Sequence, residues 1–193
     1  MKVFFGPPLH IRFPFDERKA IQVVAHILGK HTATFNYLHL MKMLYTIDRL
    51  ALAKWGQPVI GGSYCSMSKG PVISEVLDLI KSNVEPGRPH PWLQHFQKKG
   101  YDLVLKKPAK TNELSQAEVD LVDTVYHMLA QRNRWSVVEW THDEFKEWKD
   151  PGASSEPIRV EDILHALKKS DKEIETIRQD TAFYNQVDSH LSR

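Results

Sequence analysis

Asp48 and Arg49 break into a densely apolar stretch of the sequence, with Tyr45 beside them. A charge in such a stretch needs a partner or a place at an exit from the core. Two uses follow. One is a structural ion pair or hydrogen bond to a loop, and the other is a polar anchor for a bound protein or ligand. Tyr64, Lys69, Gly70 and Pro71 form a second cluster on a Gly-bordered loop. A lysine and a tyrosine at a helix start suit an anion, and the same residues also serve an ordinary turn. His142 stands beside Asp143 and Glu144, the composition of a base oriented by a carboxylate. Sequence neighbours on a helix point apart, however, so capping and packing are the plainer roles. Cys65 is the one thiol among ten histidines. A Cys and His pair is therefore conceivable, but no activating context is visible and a small residue in a half-buried strand fits as well. His90 and His95 flank Pro91 and Trp92 at a spacing that misses helical zinc ligation, and loop positions suit them better. No phosphate loop, dinucleotide fingerprint, nucleophile elbow or His-Glu-x-x-His helix occurs. The chain is thus expected to use no metal, no cofactor and no catalytic set.

The elements that must position these residues are mostly helical. Asp16 is a candidate N-cap for a helix with Ile21, Val24, Ala25 and Leu28 on one face and Gly29 near its end. From Phe35 to Trp55, Leu38, Met41, Leu44, Ile47, Ala51 and Trp55 form a stripe that Leu40, Met43, Leu50 and Leu52 widen. A helix apolar on most sides is a central one. Gly56 and Pro58 end it, and Val59 to Met67 reads as a short strand or irregular loop. Pro71 is placed at the first position of a helix carrying Ile73, Val76, Leu77 and Ile80 and ending near Asn83.

A Pro-rich connection, Glu85 to Pro91, leads to a brief helical piece around Trp92, Leu93 and Phe96 that stops at Gly100. Tyr101, Leu103 and Leu105 alternate as in a strand. Ser115 to Glu118 is a capping box opening a helix that fades near Arg132. Trp135 to Trp140 is too short for its period to decide between helix and strand. Thr141 to Glu144 reads as a second capping box, Asp150 to Pro157 as a loop. Two last helices follow, one over Ile163, Leu164 and Leu167, the other with Ile174, Ile177, Tyr184, Val187 and Leu191 along a stripe. The expectation is a mainly α fold: an extended arm over residues 1–15, then one compact helical domain over 16–193 with a small β element of two or three short strands.

Length and charge bound the function. The chain has 193 residues, enough for one sizeable core, and 26 Lys plus Arg against 24 Asp plus Glu leave a formal charge of +2. That balance supplies no field of one sign and argues against nucleic acid as the partner. One cysteine suits a reducing compartment, and no apolar run approaches the roughly 20 residues of a membrane helix. A soluble cytoplasmic protein with no membrane contact is expected. Aromatics near Trp135, Trp140, Phe145 and Trp148, and an arm with Phe4, Phe5, Phe13 and Phe15, are candidate exposed patches or core.

The order of residues in Leu40 to Arg49, Trp55 to Tyr64 and Ser68-Lys69-Gly70-Pro71-Val72 resembles the Panacea domain, also called SocA-like. The shared theme is a leucine-rich helix ending in Leu-Tyr-x-x-Asp-Arg, then Gly-x-Pro-Ile-x-Gly, a Tyr-x-x-Met strand supplied by Tyr64 to Met67, and Gly-Pro-Val. The start at Leu114-Ser115 and the stretch Thr141-His142 followed by Trp148 resemble the second half, so the likeness spans about residues 16 to 150. The chain departs at Gly62, where Asp is frequent, and at Ile60, where Thr is common. The resemblance implies a bacterial or phage antitoxin that neutralises a toxin encoded by a neighbouring gene, mostly by direct protein–protein binding. One member is instead an adaptor that delivers its toxin to a protease. Tyr45, Asp48, Arg49, Tyr64, Lys69, Gly70, Pro71, His142 and Trp148 fall on motif positions or beside them, as toxin-binding or structural candidates. A hydrolase using Cys65 or His142, and a winged-helix-like DNA binder, are the contrasting readings. No separate helix-turn-helix module is visible. A homodimer stays open, because an amphipathic last helix either caps its own core or pairs with a copy.

Overall fold

Capping side chains set where most of the helices start. In the computed structural model, which describes residues 10–81 and 90–191 with side chains as far as Gln186, Asp16 accepts from Lys19 N and opens α1 (Glu17–Lys30). A short strand β1 (Thr34–Asn36) follows, and Asn36 accepts from His39 N to open α2 (Tyr37–Trp55). Next come β2 (Tyr64–Ser66), β3 (Val72–Ile73), α3 (Ser74–Lys81), α4 (Pro91–His95), β4 (Phe96–Lys99) and β5 (Asp102–Leu105). The capping box at Ser115 and Glu118 starts α5 (Gln116–Leu129), and Asn133 caps α6 (Arg134–Glu144). The order closes with β6 (Glu156–Ile158), α7 (Val160–Ala166) and α8 (Asp171–Leu191).

α2 is the axis of the molecule. Every residue from His39 to Asp48 is buried, and the helix packs on α3, α5, α6, α7, β1 and β3. Two small antiparallel sheets flank it, one in the order β1-β5-β4 and the other β3-β2-β6. The fold class is mainly α with a small β element, as the periodicity predicts, and among the described residues that element is six short strands rather than two or three. Residues 10–16 run without regular structure and are tied down through their backbone, where Arg12 O also accepts from the Asn185 side chain at 3.2 Å. Ile11 N donates to Glu161, Gly62 N donates to Phe13 O, and Asp16 N donates to Ile60 O. Among the described residues no helix is long and apolar enough to cross a membrane.

Several expected boundaries are corrected, two of them because the strand partner lies far away in sequence. Phe35 belongs to β1, opposite Leu103, rather than to the central helix. Pro71 does not open α3: Val72 and Ile73 pair with Cys65 and Tyr64, and the helix begins at Ser74. Phe96 leaves its short helix for β4, paired across Gly100 and Tyr101 with β5. The end of the predicted loop, Glu156 to Ile158, is a strand on β2. Trp135 to Trp140 is helical, and Thr141 to Glu144 is the last turn of α6 instead of a second capping box. The Thr141 hydroxyl there donates back to Val138 O at 2.7 Å. α5 ends at Leu129, before Arg132. In α8, Ile174 is buried but Tyr184 is exposed, so the expected stripe is used only in part. Phe4, Phe5, Asn83 and the connection up to Pro89 lie outside the described residues, as do the side chains of Val187 and Leu191.

Candidate functional site

Asp48 is fully buried on α2. Its Oδ1 accepts from Val59 N at 3.0 Å and Ile60 N at 2.8 Å, and its Oδ2 accepts from Gly61 N at 3.0 Å and the Tyr64 hydroxyl at 3.0 Å. One carboxylate thus gathers three successive peptide N–H groups that Pro58 and the following turn leave without a ladder partner. Burial pushes the Asp48 carboxyl up to about 6, while the four donors pull it back toward the ionised form. Burial, followed by the charge of Asp48, holds Tyr64 well above the usual phenol range. Tyr64 is a donor in this arrangement and not a base.

From the next residue of α2, Arg49 Nε donates to Glu147 Oε1 at 2.8 Å, and from about one turn before it the Tyr45 hydroxyl donates to the same oxygen at 3.0 Å. The Glu147 side chain is wholly covered, and the Arg49 guanidinium lies 4.6 Å from the centre of the Phe145 ring. The ring of Tyr45 stands edge-on to Tyr64 at 5.6 Å, joining this pair to the Asp48 cluster. Phe145, a candidate for the surface, is therefore core.

A third knot closes the motif. Lys42 is buried on α2, and its Nζ donates to Pro71 O at 2.8 Å. Burial brings the Lys42 ammonium down to about 7. Gly70 has φ +92°, and a Cβ there would lie 2.7 Å from Thr141 Oγ1 and 3.1 Å from Lys42 Cε, so this turn requires glycine on both counts. His142 stacks on Trp148 at 3.8 Å with nearly parallel rings, and the Trp148 indole N–H donates to Met67 O at 3.0 Å. His142 Nε2 is buried without a hydrogen-bond partner among the described residues. Burial first, then the nearby Lys42 charge, depresses the imidazole's pKa. Asp143 and Glu144 are exposed, so the alternative of a base held by either carboxylate is not assembled. Only Lys69 of the candidate set points out, with its Nζ 5.5 Å from the centre of the exposed Trp135 ring.

The match to known families bears on this arrangement. The family model of the SocA-like antitoxin, Panacea domain, covers residues 40–149, more than half of the chain. The chain belongs to the SocA-like Panacea family. The match begins inside α2 and ends just after α6, so it contains all three knots, while α1, β1, β6, α7 and α8 lie beyond it. Neither a curated protein nor a solved structure matches the chain.

Within this Panacea domain, Lys42, Glu75 and Glu147 are residues that reading the sequence overlooked. Lys42 carried the same signal as Asp48, a charge amid Leu and Met. Glu147 carried none, since it stands between Lys146 and Trp148 in a polar segment. Glu75 accepts from Ser63 N at 2.8 Å and from its hydroxyl at 2.8 Å. A Cβ on Gly62 would come within 2.6 Å of Glu75 Oε2, so this carboxylate occupies the space that a side chain at position 62 would need. Cys65 is half-buried in β2 and its Sγ accepts from the Ser74 hydroxyl at 3.0 Å. His90 lies 3.3 Å from Glu17, and His95 Nδ1 meets Lys107 O at 2.9 Å. Among the described residues, no group of three or more His, Cys, Asp or Glu could hold a metal.

Proposed function

We propose that the protein is an antitoxin that neutralises a cognate toxin, the product of a neighbouring gene, by direct protein–protein binding in the cytoplasm and without turnover. The observation that carries this reading is the family match over residues 40–149. The geometry fits it. Tyr45, Asp48, Arg49 and Tyr64 spend their polar atoms on one another, on Glu147 and on the 59–61 turn. They build a scaffold, and a binding protein needs a stiff scaffold to present its surface without paying for order on association.

The test is co-expression with the product of the adjacent gene, scoring growth and then co-purification. Rescue with a stable one-to-one complex is the expected result. Rescue accompanied by a shortened toxin half-life would replace sequestration by delivery to a protease. Rescue with neither complex nor toxin loss, abolished by Cys65→Ala or His142→Ala, would replace it by an enzyme that reverses the damage.

A further inference from the structure

The exposed end of α6 and the turn between β2 and β3 form a surface unlike the rest of the motif. Trp135 is 46% exposed at the start of α6. Lys69 Nζ lies 5.5 Å from its ring centre and Arg134 Cζ 5.3 Å, so two cations share one indole. Beside them Arg132 Cζ lies 5.6 Å from the centre of Trp140. Lys69, Arg132 and Arg134 are all exposed, and among the described residues none of them forms an ion pair. The carboxylate nearest along α6 is the exposed Glu139, one turn beyond Trp135.

We propose that this patch docks an acidic protein surface and that, under the antitoxin reading on which the proposal rests, that surface belongs to the toxin. Two like charges drawn to one ring repel each other, and a carboxylate brought between them relieves the repulsion. Trp and Arg are the side chains that most often dominate protein interfaces, because each buries much area while losing few rotamers. Near-neutral overall charge then makes this a local recognition site instead of a general polyanion binder. The patch also gives Lys69, the outward member of the motif, a task that its buried neighbours do not share.

The experiment measures affinity of the full chain for the purified product of the adjacent gene across a salt series. The variants are Lys69→Glu with Arg132→Glu and Arg134→Glu, Trp135→Ala alone, and a control reversing Lys98, Lys99 and Lys107 at the β4–β5 hairpin. Thermal melts establish that each variant is folded. The triple reversal is expected to weaken binding on the order of 100-fold and Trp135→Ala about 10-fold, with the control within about 2-fold. Wild-type affinity is expected to fall as salt rises, and that dependence to vanish in the triple variant. If the wild type binds and rescues while the folded triple variant binds equally well, the patch is overturned and the antitoxin reading stands. A wild type that neither binds nor rescues overturns both. Patch-dependent binding of a single-stranded oligonucleotide, with none to the toxin, would overturn the acidic-protein assignment.

Discussion

Two regions of the matched domain treat charge in opposite ways. On α2, Lys42, Asp48 and Arg49 are covered or nearly so, and each is held by named partners: Pro71 O, the three N–H groups of residues 59–61 with the Tyr64 hydroxyl, and Glu147. At the α6 surface, Lys69, Arg132 and Arg134 are exposed and rest on tryptophan faces. Removing a partner inside leaves a buried group unsatisfied, whereas removing a cation outside returns a ring to water. The difference teaches that charged residues of one family domain divide into those that hold the fold and those free to meet something else.

The largest expected effect lies at Asp48. Asp48→Ala orphans three peptide N–H groups and a buried phenol, and should destabilise by about 4 kcal/mol, roughly 8–16 °C in a thermal melt. Asp48→Asn keeps one acceptor oxygen and should fall between. A wild-type melting temperature in Asp48→Ala would break the contrast between the two regions. Gly70→Ala comes next. It sets a Cβ against Thr141 and Lys42 at a positive φ and should cost about 2 kcal/mol by urea unfolding.

Lys42 sharpens the comparison through pH. Because burial lowers its pKa to about 7, the folded state holds fewer protons than the unfolded chain between about pH 7 and the ordinary lysine range near 10.4. Stability contributed through Lys42 therefore rises with pH across that window and is absent below it. Melts of the wild type and Lys42→Met from pH 6 to 9.5 should diverge, the wild type gaining relative to the variant above pH 7. Parallel curves would show that Lys42 keeps its ordinary proton affinity. The smallest effect is at the surface. Lys69→Ala should change stability by no more than about 0.5 kcal/mol, since an exposed cation over a ring contributes little. A larger loss would mean that Lys69 belongs with the interior group.

Much of the fold was legible because it is written locally. Asp16 and the Ser115-Glu118 box announce their helices by side-chain chemistry within one turn. The density of Leu and Met around residues 38–52 marks α2 as central before any neighbour is known. The strands were harder. Val72-Ile73 and Glu156-Pro157-Ile158 carry too few residues to display a period, and both become strands only through Tyr64 to Ser66. The proline at 71 suggested a helix start that the ladder overrode.

The sequence by itself determined the α-rich class, the main helices and the family, because these rest on periodicity, capping and an ordered string of residues. It also determined that Asp48 and Arg49 needed partners, since burying a charge alone is prohibitive. Which partners they took was decided only by the tertiary structure. Pro71 lies 29 residues from Lys42, and Glu147 lies 102 residues from Tyr45. Pairings over such separations leave no mark in local pattern, because they follow from how α2, the β2–β3 turn and the segment after α6 pack around one another.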